Sequence, residues 1–97
     1  MADSSAGSVS TPETTEPITV FATSWCPFCV KLIADLRKAD VPHEVVDVDF
    51  PGNEDASAWV ESVNGGNRIV PTVLYSDGTH ATNPPADAVL DKLVELQ

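Results

Sequence analysis

The stretch Ser24-Trp25-Cys26-Pro27-Phe28-Cys29 follows the apolar run Ile18-Thr19-Val20-Phe21-Ala22 and precedes the helix-patterned Val30-Lys31-Leu32-Ile33-Ala34-Asp35-Leu36. A strand that delivers Cys-x-x-Cys onto the first turn of a helix is the arrangement of redox thiols. Cys26 and Cys29 are the 2 cysteines of the chain, so no other pairing competes. Residues at this spacing share a helix face, which brings the two sulfurs within reach of an intramolecular disulfide or a dithiol.

The first helical turn distinguishes the two sulfurs. Cys26 lies at the helix N-terminus, where unpaired N–H groups and the positive end of the helix dipole favour a thiolate. Its pKa is expected well below the free value of about 8.5. Cys29, one turn deeper, meets fewer free donors, keeps a higher pKa and is the resolving thiol. Pro27 suits the first helical position, which needs no N–H donor. Inert packing would also explain two cysteines, but it has no need of a strand-to-helix junction. A structural zinc site needs four ligands, and the imidazoles, His43 and His80, are both remote in sequence.

Outside this stretch, 97 residues allow one small domain with a modest core. The net charge of −10, with Lys and Arg only at Lys31, Arg37, Lys38, Arg68 and Lys92, argues against nucleic acid and anionic membrane as partners. No basic-then-apolar leader or membrane-length run is present, so a cytoplasmic location is expected. In that reducing compartment a Cys-x-x-Cys pair is catalytic more often than structural.

Residues 1–17, rich in Ser, Thr, Pro, Glu and Gly, are expected to form a disordered tail, and residues 18–97 the domain. Ile18 to Thr23 reads as a central strand. The helix after Cys26 repeats apolar residues at Leu32, Ile33 and Leu36 and ends near Ala39-Asp40, ahead of Pro42. His43 to Asp49 reads as a second strand, parallel to the first through a right-handed crossover. Asp55 to Val63 is a helix stopped by Asn64-Gly65-Gly66, with Trp59 a packing residue. A third strand begins at or after Pro71, Asp77-Gly78 turns it, and His80-Ala81 runs back antiparallel. Thr82 or Asn83 is expected to cap a last helix with Pro84 and Pro85 in its opening turn. The order is β-α-β-α-β-β-α, an α/β fold whose four-stranded mixed sheet is flanked by helices.

From about Ile18 to Leu93 the chain resembles a glutaredoxin of the thioredoxin fold, and within that group the mycoredoxins of actinobacteria. The stretches that carry the resemblance are Trp25-Cys26-Pro27-Phe28-Cys29, Ser62 to Thr72 with Arg68-Ile69-Val70-Pro71, Asp77-Gly78-Thr79 and Thr82-Asn83-Pro84. The resemblance implies a cis peptide bond at Val70-Pro71 beside Cys26, with Val70 offering backbone groups to a disulfide substrate. An ordinary trans proline opening a strand is the alternative. Glutathione-using relatives carry a Lys where this chain has Thr23. They also carry a Gly-Gly pair and acidic residues where it has Thr82-Asn83-Pro84-Pro85-Ala86.

Mycothiol has neither a carboxylate nor a free amine, so a site for it needs hydroxyl and amide partners. Thr82 and Asn83 suit that, and Asn67 or Arg68 is placed to meet sugar hydroxyls, whereas a helix cap explains Asn83 equally well. Trp25 and Phe28 form an apolar rim for targets or pack on the domain. The implied activity is reduction of protein–mycothiol mixed disulfides by Cys26. No bound cofactor is implied: mycothiol is the co-substrate and electron donor, recycled by an NADPH-dependent disulfide reductase that is an indirect partner. Mycothiolated proteins are the other partners, and the chain is expected to act as a monomer. Two other functions compete with it: a dithiol redoxin fed by thioredoxin reductase, and an iron–sulfur cluster held between two copies, against which Pro27 argues by resemblance.

Overall fold

The structure, a computed structural model, describes residues 10–97. Of the expected disordered tail, residues 1–9 lie outside the described residues. The elements are β1 (Ile18–Ala22), α1 (Pro27–Lys38), β2 (Glu44–Asp47), α2 (Glu54–Val63), β3 (Thr72–Tyr75), β4 (His80–Thr82) and α3 (Ala86–Leu96). The sheet order is β2-β1-β3-β4. β1 pairs parallel with β2 and antiparallel with β3, so Val20 stands between Val45 and Val73.

This central position explains why β1 is buried along its whole length instead of alternating. Ile18, Val20 and Ala22 project to one face and join Cys29, Leu32 and Leu36 of α1, Val73 and Tyr75 of β3 and Val89 of α3. Phe21 projects to the other and joins Val48, Leu74 and the α2 residues Trp59 and Val60. Trp59 is 2% exposed and its ring lies 5.0 Å from that of Phe21, a core residue as its spacing predicts. Two covered faces fix β1 rigidly, and with it the loop that carries Cys26. No helix is long and apolar enough to cross a membrane among the described residues.

Several element ends differ from the sequence expectations, each for a local reason. The second strand is Glu44–Asp47, shorter than His43 to Asp49. At its start His43 Nδ1 lies 2.7 Å from the Val41 carbonyl, and at its end the Asp49 N–H turns back to Asp47 Oδ1 at 2.9 Å. An Asx turn of this kind offers the backbone an alternative to the sheet ladder. Helix α1 ends as expected, through a Schellman arrangement: Asp40 takes φ 58°, its N–H bonds the Arg37 carbonyl and the Val41 N–H bonds the Leu36 carbonyl. Asp fills the position usually given to Gly, because its short polar side chain tolerates left-handed backbone.

The expected cap of the last helix is corrected. Pro85, in extended geometry at φ −70° and ψ 158°, is the N-cap of α3, and no side chain caps it. Pro84 and Pro85 therefore precede the helix instead of opening it. Asn83 takes φ 48° to turn the chain out of β4, and the Thr82 hydroxyl donates to Asn64 Oδ1. Proline at position 85 disfavours helical geometry in Pro84, which keeps Pro84 out of the helix.

Candidate active site

β1 ends at Ala22, and Thr23-Ser24-Trp25 carries the chain to Cys26, the N-cap of α1, at φ −84° and ψ 119°. Pro27 occupies the first turn as its fixed φ favours, and the Val30 N–H closes on the Cys26 carbonyl at 3.0 Å. No acidic residue stands in that turn to compete with a thiolate for its N–H groups. Both cysteines are free thiols; Cys26 is 6% exposed and Cys29 fully buried.

Burial by itself favours the neutral Cys26 thiol. The Cys29 backbone N–H, the Cys29 side chain and the Phe28 N–H outweigh it, and the Cys26 pKa falls below the ordinary thiol value. At Cys29 burial wins: despite an opposing backbone hydrogen bond from Thr23, its pKa is pushed up to about 11, with the Cys26 sulfur adding to the rise. The two sulfurs are thus chemically unequal in the sense their positions on the helix predict. Thr23 stands three residues before Cys26, the position at which the resemblance to glutaredoxins implies a lysine in glutathione-using relatives. It is buried, and among the described residues its hydroxyl has no hydrogen-bond partner. Backbone N–H groups at the helix N-terminus and the Cys29 side chain therefore stabilise the Cys26 thiolate, with no lysine at position 23.

This inequality predicts selective alkylation. Reduced protein mixed with iodoacetamide at neutral pH should take up one equivalent quickly, at Cys26. The rate should rise with pH and level off above a midpoint lower than that of a free cysteine. Peptide mass spectrometry checks the site, and equal labelling of Cys26 and Cys29 would contradict the assignment.

Facing Cys26 is the loop before β3. The Val70-Pro71 peptide bond is cis, and the Cys26 thiol points to the Val70 carbonyl oxygen at 3.8 Å. Pro71 is fully buried, and its carbonyl accepts the Asn83 N–H at 2.7 Å, so Asn83 abuts this loop. Asn64 stitches the surroundings together. Its amide donates to the Val60 carbonyl at 2.8 Å and to Thr72 Oγ1 at 3.1 Å, and its oxygen accepts from Thr82. The Thr82 hydroxyl is therefore engaged at Asn64. Asn83 with Phe28, Leu32, Pro84 and Ala86 lines an open groove of about 460 Å³ between α1 and the start of α3.

Trp25 and Phe28 are 67% and 63% exposed, which places both on the rim instead of in the core. Trp25 is nevertheless fixed. Its indole Nε1–H donates to Asp49 Oδ2 at 2.8 Å, while Arg68 Nη1 pairs with Asp49 Oδ1 at 2.6 Å and approaches the Val48 carbonyl at 3.5 Å. The Trp25 hydrogen bond, followed by the Arg68 pair, holds the Asp49 carboxyl below its ordinary pKa. Asn67 is exposed, its amide 3.4 Å from the Asn64 carbonyl. Asp49 and Asn64 were not singled out by sequence reasoning. An acidic residue after a strand and an Asn at a helix end have ordinary local explanations, and only their distant partners reveal more.

Comparison with known proteins identifies the family. The family model described as Glutaredoxin matches residues 18–81. The chain is similar to Mycoredoxin 1 of Corynebacterium glutamicum, 52% identical over 79 residues that cover 81% of this chain and 95% of the relative. It is 44% identical over 82 residues to a Mycobacterium tuberculosis protein named as a glutaredoxin, covering 84% of this chain and 95% of that one. Among solved structures, the glutaredoxin of Archaeoglobus fulgidus superposes with a TM-score of 0.65 at 24% identity, over 79% of this chain and 85% of its own. That last likeness concerns the fold.

Proposed function

The chain belongs to the glutaredoxin family, within its mycoredoxin branch, and is a thiol–disulfide oxidoreductase; from that premise we propose that it removes mycothiol from protein mixed disulfides. The Cys26 thiolate attacks the mycothiol sulfur, a Cys26–mycothiol disulfide forms, and the protein thiolate leaves and takes up a proton. A second mycothiol thiolate then attacks the mycothiol sulfur of that disulfide, which releases Cys26 and yields mycothiol disulfide. Alternatively Cys29 closes on Cys26 and expels mycothiol. Each step exchanges one disulfide for another, so electrons balance without a bound cofactor.

The observation that carries this reading is the inequality of the two sulfurs, with Cys26 lowered at the helix N-terminus and facing Val70, and Cys29 buried with a pKa of about 11. A resolving thiol so reluctant to ionise reacts slowly, which leaves the Cys26 mixed disulfide open to a small thiol from solution. Mycothiol as that thiol rests on the likeness to Mycoredoxin 1. A site without a Thr23 cation, with Asn83 beside the nucleophile loop, also suits it. Within the proposal Val70 and Pro71 form the edge that receives the substrate. Pro27 sets the first turn, Trp25 and Phe28 form the rim, and Arg68, Thr82 and Asn83 border the thiol's sugar portion. Recycling by an NADPH-dependent mycothiol disulfide reductase, a cytoplasmic location and a monomeric state belong to the same proposal.

Two arms of one assay test it. With a mycothiolated peptide, mycothiol, its disulfide reductase and NADPH, Cys29→Ser should keep more than about half of the wild-type turnover. Loss of turnover in that variant would favour a dithiol cycle fed by thioredoxin reductase. The mycothiolated peptide should also outpace its glutathionylated counterpart, and the reverse order would remove mycothiol from the scheme.

A further inference from the structure

We infer that Asp49 is a specificity-determining residue, which cancels the charge of Arg68 beside the nucleophile and so turns away thiols that carry carboxylates; this rests on the mycothiol reading above. Arg68 is a cation two residues before Val70. It lies on the same loop as Val70, whose carbonyl is 3.8 Å from the Cys26 sulfur. An unpaired guanidinium there would offer a carboxylate-bearing thiol a fork of donors and a full positive charge.

Asp49 takes one arm of that fork and cancels its charge. It meets Arg68 at 2.6 Å through Oδ1 and Trp25, the residue next to Cys26, at 2.8 Å through Oδ2. One carboxylate thus ties the nucleophile loop to the Val70 loop and leaves the pair neutral. Side chains of Arg68 and Asp49 are 33% and 38% exposed, so the pair lies at the surface and an incoming ligand can sense it. The second cation bordering the site, Lys31 in the α1–α3 groove, is paired with Asp35 at 2.9 Å. Against a chain charge of −10, two paired cations leave the neighbourhood without an attractive field for anions. A neutral Arg–Asp pair still offers spare N–H donors and lone pairs, which match sugar hydroxyls. Selectivity then comes in part from an element directed against the wrong partner.

The test compares kcat/KM for mycothiolated and glutathionylated forms of one peptide, in wild type, Asp49→Asn, Asp49→Glu and the double variant Asp49→Asn/Arg68→Gln. Asp49→Asn keeps the size of the side chain and removes the charge. It should raise the glutathione-to-mycothiol ratio roughly fivefold, mainly through a lower KM for the glutathionylated peptide. The gain should shrink in 0.5 M salt, disappear in the double variant and be absent in Asp49→Glu. A ratio unmoved by Asp49→Asn, or a gain that survives loss of Arg68, would overturn the assignment. Wild-type preference for the glutathionylated peptide would refute the mycothiol reading separately, since the response to Asp49→Asn is a change measured against whatever the wild type does.

Discussion

Cys26→Ser should leave no measurable turnover of a mycothiolated peptide in the coupled reductase assay. Serine at the N-cap keeps the shape of the turn and is itself a favoured cap, so α1 should form normally. What disappears is the ionisable sulfur. A hydroxyl does not ionise near neutral pH and cannot exchange with a disulfide, so every route through the nucleophile closes. The expected loss is at least a thousandfold, of the order seen when a nucleophile is removed from other enzymes. Circular dichroism matching wild type would separate this loss from unfolding. Full activity in the serine variant would end the proposed mechanism.

Phe21→Ala should be the most damaging of the core substitutions. Phe21 is 1% exposed on β1, the strand paired on both sides, and its ring packs 5.0 Å from Trp59. Removing a buried phenylalanine costs about 3–5 kcal/mol through lost transfer energy and the cavity left behind. A small domain has about 5–15 kcal/mol of total stability, so the variant should unfold at a much lower urea concentration, with Tm reduced by more than 10 °C. The cavity would open between the sheet and α2, on the face opposite Cys29. Activity at temperatures where the variant stays folded should therefore survive. A stability change below about 1 kcal/mol would mean that the Phe21–Trp59 cluster is not the support the packing implies.

The two effects separate because each face of β1 has its own duty. Ile18, Val20 and Ala22 seat α1 and its cysteines, whereas Phe21 seats α2. That division follows from the period-two geometry of a strand once its central place is known. The Asp77-Gly78 turn, the Asn64-Gly65-Gly66 stop and the Cys-x-x-Cys at a strand-to-helix junction are equally legible, since each depends on backbone preferences of a few adjacent residues. The last-helix cap departs from local pattern, in which Thr and Asn are good caps. Here the Thr82 hydroxyl is taken by Asn64, distant by 18 residues, and Asn83 is needed for a positive-φ turn.

The order of elements and the direction of the Cys26 pKa shift are legible along the chain, because periodicity, punctuation and helix-end electrostatics act over one or two turns. What surrounds that sulfur is set by contacts between segments far apart in the chain. Val70 meets Cys26 across 44 residues and Asp49 meets Trp25 across 24. Such contacts form when the sheet closes and brings loop ends together, and a side-chain hydrogen bond between distant loops leaves no repeating trace along the chain.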